Sequence, residues 1–402
     1  MKKGKYVSGA IFVLIVAISL VLVCQSETLA ASKQKTKWVT VGAVFPLTGP
    51  ASIVGVSAAR GIEMSFAKIN DEGGLKIGDT TYKFKVVSDD SKLSFEAAAT
   101  ATRKQVLQDK AIMVFGDFYV PSSEGIYSVT SKYKKLQVVN WVQSPGDPAD
   151  VSPKKPLAVR PQVNQTDMTA VYIEQLHKLY PEVKFLINVS PAREDFALLN
   201  KTTAEEAVKQ GLKIETVTYE FGIEDFIPTM TKVLALKPDA LLIQSTPQAT
   251  PIMAARQLEF KGPILSVSPL PAEEIVRIVG PRLATNILSC ANPEDPSVKE
   301  MEDRWAKMYR NEPFVSDCIN AYNQGLNIAQ VILRAQSLDP AKIVATFESM
   351  TAPGSFKTSW GPGHAGGKDT VGVNRRMVRM IPMARIIDGK IQYMGLFPCP
   401  YN

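Results

Sequence analysis

The chain has 402 residues, 45% of them apolar and 21% charged, a length that suits two domains and a composition that excludes a disordered protein. The formal net charge is +7, but the first 30 residues carry three Lys and one Glu, so the remainder carries +5. Its bases are interspersed with acids, the pattern of a solvated face and not of a phosphate-tracking stripe, so no nucleic-acid partner is expected.

Residues 1–30 read as a secretory signal: Lys2, Lys3 and Lys5, an apolar core over 11–23, and Thr28-Leu29-Ala30 as the cleavage site before Ala31. The apolar run is short for a membrane span. Cys24 offers a lipoprotein alternative, but Val23 before it is not the small residue such processing uses, so export to the periplasm as a soluble protein is expected. Beyond the signal stand Cys290, Cys318 and Cys399. An odd number in an oxidising compartment allows at most one disulfide, with Cys290 and Cys318 the favoured pair. The cysteines are far apart, and only His177 and His364 could join them, so no metal site is expected.

Val39, Val41, Ala43 and Phe45 alternate as a buried strand that stops at Pro46. A Gly-rich turn over 47–55 follows, and then Ala58, Ile62, Phe66 and Ile69 recur at helical spacing until Gly73 and Gly74. Strand, loop and helix form the unit of a doubly wound α/β sheet, whose ligands sit at the carboxyl ends of the strands, here the loop 48–55. A strand over 83–87 ends at Ser88-Asp89-Asp90, a helix covers 94–108, and 111–115 is a fully apolar strand. That strand runs into Phe118, Tyr119, Ser122 and Ser123, where the next helix starts. A serine at a helix start caps free backbone N–H groups, and the same groups can hold an anion; both readings stand. The strand 137–139 ends in Trp141, Val142, Gln143 and Ser144.

The second half repeats the build. Strand 185–189 leads through 190–196 to a helix over 197–209, 216–221 leads to Asp225-Phe226 and another helix, 241–244 ends at 245–248, and 264–267 ends at Ser268-Pro269. Residues 298–311 and 321–335 are helical by pattern, with Tyr322 and Asn323 as packing and surface groups. The stretch 353–367 reads as a loop, and strands over 377–387 and 391–396 flank a hairpin turn at Asp388-Gly389. Catalytic chemistry finds little support: there is no G-x-S-x-G elbow, no Walker loop and no dinucleotide fingerprint, and the pairs Asp89-Asp90 and Glu224-Asp225 read as solvated turns. The expectation is a binder with no cofactor.

The order PLTGP, then Gly, then a helix closing in IN-x-x-GG resembles the leucine/isoleucine/valine-binding family, the type I periplasmic substrate-binding proteins of ABC importers. The resemblance extends over the region after the signal. It implies two Rossmann-like doubly wound lobes joined by a three-crossover hinge, with crossings near 160–166, 288–295 and 355–361. The N-terminal lobe would hold 38–160 plus 293–354, and the C-terminal lobe 161–292 plus 362–402. It also implies a small carboxylate or amino-acid-like solute in the cleft and permease subunits of an importer as partners.

The family's consecutive serines match Ser122 and Ser123, its Ser/Thr after the fourth strand matches Ser144, and its aromatic at the first helix of the second lobe matches Phe196. Its DF pair matches Asp225 and Phe226. Backbone N–H groups at Ser122 and Ser123, with Ser144 and Gln143, would receive a carboxylate. Phe118, Tyr119 and Trp141 would pack on the ligand body or in the lobe core. Phe196, Gln244 with the rest of 244–248, and Ser268 would close from the second lobe. One departure matters: Ser268 stands where relatives use an acid for the ligand ammonium, and no Tyr occurs in 244–248. A buried ammonium without a carboxylate is costly, so an aromatic acid, another non-amino acid or an amide contends with an amino acid. Glu273, a few residues on, is within reach of this role, whereas Arg193 would serve a second acidic group of the solute or stand exposed at the lobe rim. A solute sensor for a membrane receptor is the rival reading.

Overall fold

The computed structural model describes residues 35–49, 51–244, 249–292, 296–310, 312, 314 and 318–401. The expected signal segment with Cys24 lies outside the described residues, as do 245–248 of the second-lobe loop.

The first lobe is built on strands β1 (Lys35–Phe45), β2 (Leu75–Ile77), β3 (Thr80–Asp90), β4 (Ala111–Phe115), β5 (Leu136–Val138) and β6 (Ala158–Val159), in the order β2-β3-β1-β4-β5-β6. All neighbours are parallel except β2 and β3. Helices α1 (Ser52–Asp71), α2 (Phe95–Leu107) and α3 (Val120–Lys132) connect them. Then come α4 (Gln165–Leu179), β7 (Phe185–Pro191), α5 (Glu194–Lys209), β8 (Lys213–Tyr219), α6 (Ile227–Ala235), β9 (Ala240–Ile243), α7 (Ala249–Gln257), β10 (Ile264–Pro271), α8 (Ala272–Val279) and β11 (Ile287–Cys290). The chain returns to the first lobe through α9 (Pro296–Met308), α10 (Cys318–Ala335) and α11 (Pro340–Ser349). A small antiparallel sheet follows, β12 (Phe356–Thr358), β13 (Gly361–Gly366), α12 (Lys368–Val371) and β14 (Arg376–Arg379), before β15 (Ile381–Ile387) and β16 (Lys390–Phe397) complete the second sheet, β16-β15-β11-β10-β9-β7-β8.

The apolar runs of β4 and β9 are strands covered on both faces, which is why they carry no polar alternation. In the first lobe Val41, Phe45, Ile62, Phe66 and Phe115 share a core with Ile328, Ile332 and Phe347. The second lobe has its own, around Ile187, Leu241, Ile252, Ile264 and Ile386. Helix α10 lies directly against α1: a Cβ on Gly61 would collide with the Cys318 carbonyl oxygen, and one on Gly325 with Ser65 Oγ, so glycine sets this close approach.

Several expectations shift. Helix α1 begins at Ser52, so the loop after β1 is shorter than 48–55. Asp90 pins that loop, accepting from Leu47 N at 2.9 Å and the Thr48 hydroxyl at 2.6 Å, so it is more than a solvated turn. The stretch 353–367 contains β12 and β13, because backbone pairing needs no apolar side chains. The third crossing, back to the second lobe, comes at Met380 and not at 355–361. Phe356, Ala365 and Met377 belong to the first-lobe core, and Val371 and Val373 pack with Val139 and Val142. The run 377–387, read as one strand, is two strands in different sheets. The expected Cys290–Cys318 disulfide is not formed; the two are thiols, as is Cys399. Cys318 is buried in the first lobe with Met301 Sδ at 3.9 Å, whereas Cys290 ends a strand of the second sheet. Among the described residues no helix is long and apolar enough to cross a membrane.

Two fully buried ion pairs mark the hinge, Arg160 with Asp150 at 2.7 Å and Arg376 with Asp167 at 2.9 Å. Asp167 also completes a capping box with Asn164 at the start of α4. Arg376, on the first-lobe side, thereby grips the first helix of the second lobe.

Candidate functional site

The two lobes face each other at the carboxyl ends of their strands. On the first-lobe side, β4 ends in Gly116, whose φ is +129°, and Asp117, which is wholly buried. Asp117 Oδ1 accepts from Phe118 N at 2.6 Å, and Ser91, Ser122 and the Tyr119 N–H surround the carboxyl, while its Oδ2 and the Ser122 hydroxyl are buried without a hydrogen-bond partner. Burial outweighs these donors and pushes the group up to about 6. Ser123 Oγ accepts from Gln137 Nε2 at 3.1 Å, and the Ser123 N–H donates to Tyr119 O at 2.9 Å. Both serine side chains are therefore turned into the lobe, and the Ser123 N–H is already used. Helix α3 has Pro121 in its first turn and presents the N–H groups of Val120 and Ser122 at its start.

The loop after β5 joins the lobes. Ser144 Oγ stands 2.8 Å from Thr166 Oγ1, and the N–H groups of Gln165 and Thr166 donate to Val142 O and Gln143 O at 3.3 and 3.0 Å. Trp141 is a first-lobe residue packed into the second-lobe cluster of Val163, Met168 and Tyr172, and the partly buried Phe118 packs on the same cluster. Both rings therefore pack where the first-lobe loops meet the second-lobe cluster.

On the second-lobe side, Arg193 is the N-cap of α5. Its guanidinium lies 4.8 Å from the Tyr119 ring, 5.4 Å from Phe196 and 4.6 Å from Phe221. It pairs with Asp195 through Nε–Oδ1 at 2.9 Å and Nη2–Oδ2 at 2.6 Å. Tyr119 comes from the first lobe and the other two rings from the second, so Arg193 spans the cleft by cation–π contact. It is not the exposed rim residue that its position in the sequence implies. Gln244 is wholly buried and donates to Thr203 Oγ1 at 2.9 Å, which commits its amide to the second lobe. Ser268 lies on β10, with its side chain outside the described residues. Glu273 opens α8 and is exposed.

Sequence reasoning missed Asp147 and Asp195. Asp147 sits in the turn after Ser144, its N–H donating to Ser144 O at 3.2 Å, and Asp195 lies in the first turn of α5; both are 7% exposed. The string Ser-Pro-Gly-Asp-Pro reads only as a turn, and nothing in it signals a buried acid. Tyr119 and Phe196 meet around Arg193, and Gln143 and Ser144 meet Thr166. Among the described residues no group of three or more His, Cys, Asp or Glu could hold a metal ion. The arrangement can grip a small molecule between two walls through N–H groups, rings and paired charges.

Residues 39–390 match the family described as periplasmic binding protein. The leucine-binding protein of Thermotoga maritima superposes with a TM-score of 0.72 at 19% identity, over 90% of this chain and 99% of that one. A branched-chain amino acid transporter substrate-binding protein of Streptococcus pneumoniae, solved with isoleucine, gives 0.71 at 18% identity over 90% and 100%. A solute-binding protein of an ABC transporter from R. palustris, solved with 4-hydroxybenzoate, gives 0.73 at 17% identity over 90% and 98%. No curated protein matches the sequence. At such identities the solved structures speak for the fold, and the family match for the kinship: the chain belongs to the periplasmic binding protein family and has its two-lobed type I fold.

Proposed function

We propose that the protein is the extracytoplasmic solute-binding component of a branched-chain amino acid type ABC importer, delivered to the periplasm by the signal in residues 1–30. It captures a small carboxylate or amino-acid-like solute between its lobes and hands it to permease subunits. The observation that carries this reading is the junction of Tyr119, Gln143, Ser144 and Thr166 with Arg193 and Phe196, where polar and aromatic groups of both lobes converge at strand carboxyl ends. In this reading the N–H groups of Val120 and Ser122 take the carboxylate. Phe196 and Tyr119 flank the solute body. The similar fold serves isoleucine in one solved structure and 4-hydroxybenzoate in another, so the fold accommodates both solute classes.

The test is thermal unfolding of residues 31–402, denatured and refolded to strip carried-over solute, against aliphatic amino acids, aromatic acids, dicarboxylates and amides. A solute at 100 times its Kd should stabilise by ~2.7 kcal/mol. Stabilisation by none of them would sink the proposal. A stabilising solute whose uptake is unaffected by deleting the protein would turn the role into that of a sensor.

A further inference from the structure

We infer that the hinge binds a halide-sized monovalent anion, chloride, between the Arg379 guanidinium and the Trp360 indole N–H. The site is built from the crossings and not from the cleft walls, and it stands whatever solute the lobes take. Arg160, Arg376 and Arg379 are all buried where the chain passes between the lobes. Asp150 takes Arg160, and Asp167 takes Arg376. Among the described residues no carboxylate pairs with Arg379, so one buried positive charge is left over. Its bonds are few. Nη1 donates to Met380 O at 2.8 Å, while Nη2 and Nε both donate to Gln162 Oε1, at 3.0 and 3.3 Å. That oxygen also accepts from Val163 N at 3.0 Å, so three donors share it. Arg256 shows how this chain buries a guanidinium without an acid: the carbonyls of Phe260, Gly262, Thr285 and Asn286 all accept from it. Arg379 has only the carbonyl of Met380.

Trp360 supplies the second, independent observation. Arg379 Cζ stands 3.9 Å from the centre of its ring, and the residue is 4% exposed, yet its Nε1 is buried with no acceptor. A buried indole N–H is ordinarily bonded. Stacking explains how the ring covers the cation, but it uses the ring face and leaves the N–H unserved. An unserved donor beside a cation short of acceptors calls for an acceptor with negative charge, and the two groups are close enough for one ion to touch both. Arg379 keeps 7% of its surface exposed, which admits an ion little larger than a water molecule. A single excess charge matches a monovalent ion, whereas sulfate or phosphate would bring more charge and a larger dehydration cost than the site can balance. Gln162 Nε2 donates to Asn320 Oδ1 at 2.8 Å, so an ion on Arg379 would fasten the first and third crossings to each other and to α10.

The experiment reads the unfolding midpoint of residues 31–402 while potassium gluconate is exchanged for potassium chloride or bromide at constant ionic strength. A site half filled at ~10 mM should raise the midpoint by about 2 °C at ~100 mM chloride. Gln162→Glu keeps the acceptor for Arg379 and adds the opposing charge, so it should abolish the halide response and exceed wild type in stability in gluconate. General salt effects act on wild type and variant alike, so the difference between them is the readout. Trp360→Phe keeps a ring against the guanidinium and removes the donor, and should weaken halide binding by ~3–10-fold. Crystals soaked in bromide should show its anomalous peak within hydrogen-bond reach of Trp360 Nε1 and Arg379. No halide response, a response unchanged in Gln162→Glu, or bromide bound only elsewhere would overturn the inference and leave the solute-binding reading untouched. Should Gln162→Glu fail to fold, the Trp360→Phe titration and the bromide position decide.

Discussion

On the first-lobe wall the serine hydroxyls turn inward, Ser123 bonded to Gln137 and Ser122 buried without a partner, whereas on the second-lobe wall Arg193 reaches outward among Tyr119, Phe196 and Phe221 with Asp195 beside it. The first wall offers backbone, fixed by side chains that never leave the lobe. The second offers side chains. Substitutions on the first wall should therefore be read as changes in stability, and those on the second as changes in affinity, because rigid backbone donors are lost only when the wall itself deforms.

The largest effect that would break this contrast is at Gly116. Its φ of +129° disfavours any side chain, and a Cβ would run into the Val44 carbonyl oxygen. Gly116→Ala should destabilise the protein by ~3 kcal/mol or more, read as a fall in the unfolding midpoint. An unchanged midpoint would mean that the first wall adapts, and the contrast would fail.

Arg193→Ala probes the other wall and should do the reverse. It removes the contact with Tyr119 across the cleft and the partner of Asp195. Solute binding should weaken by ~1–3 kcal/mol in calorimetry, with a smaller fall in the unfolding midpoint than Gly116→Ala gives. A larger fall in stability than in affinity would make Arg193 a structural strut of α5.

Much of this architecture was legible in the sequence. The apolar run of β4 announced a strand covered on both faces, and the helix read over 94–108 is α2, with Ser94 at its N-cap accepting from Ala97 N at 3.4 Å. Strand, loop and helix recurred often enough to give two doubly wound lobes. What stayed hidden shares a cause, which is that alternation and residue type do not encode partners. The run through Met380 keeps its apolar character while changing sheets. Ser123 looks the same whether its hydroxyl meets a ligand or Gln137. Asp147 in a Pro-Gly turn looks solvated, yet the fold buries it. Arg193 likewise has no aromatic neighbours in sequence except Phe196; Tyr119 and Phe221 reach it only through the fold.

The smallest expected effect sharpens the contrast most, because it separates two serines that the sequence treats alike. Ser123→Ala deletes a buried acceptor, but Gln137 Nε2 keeps the Ser123 carbonyl oxygen at 3.1 Å, so the loss of stability should be only ~1 kcal/mol. Affinity for any solute should stay within about 2-fold. Ser144→Ala, which removes the bond to Thr166 across the lobes, should instead weaken binding by ~1 kcal/mol with little change in stability. Their effects should add in the double variant, since the two hydroxyls share no partner. Affinity lost in Ser123→Ala, or coupling between the two changes, would mean that the first wall turns a hydroxyl towards the solute, and would return Ser123 to the binding site.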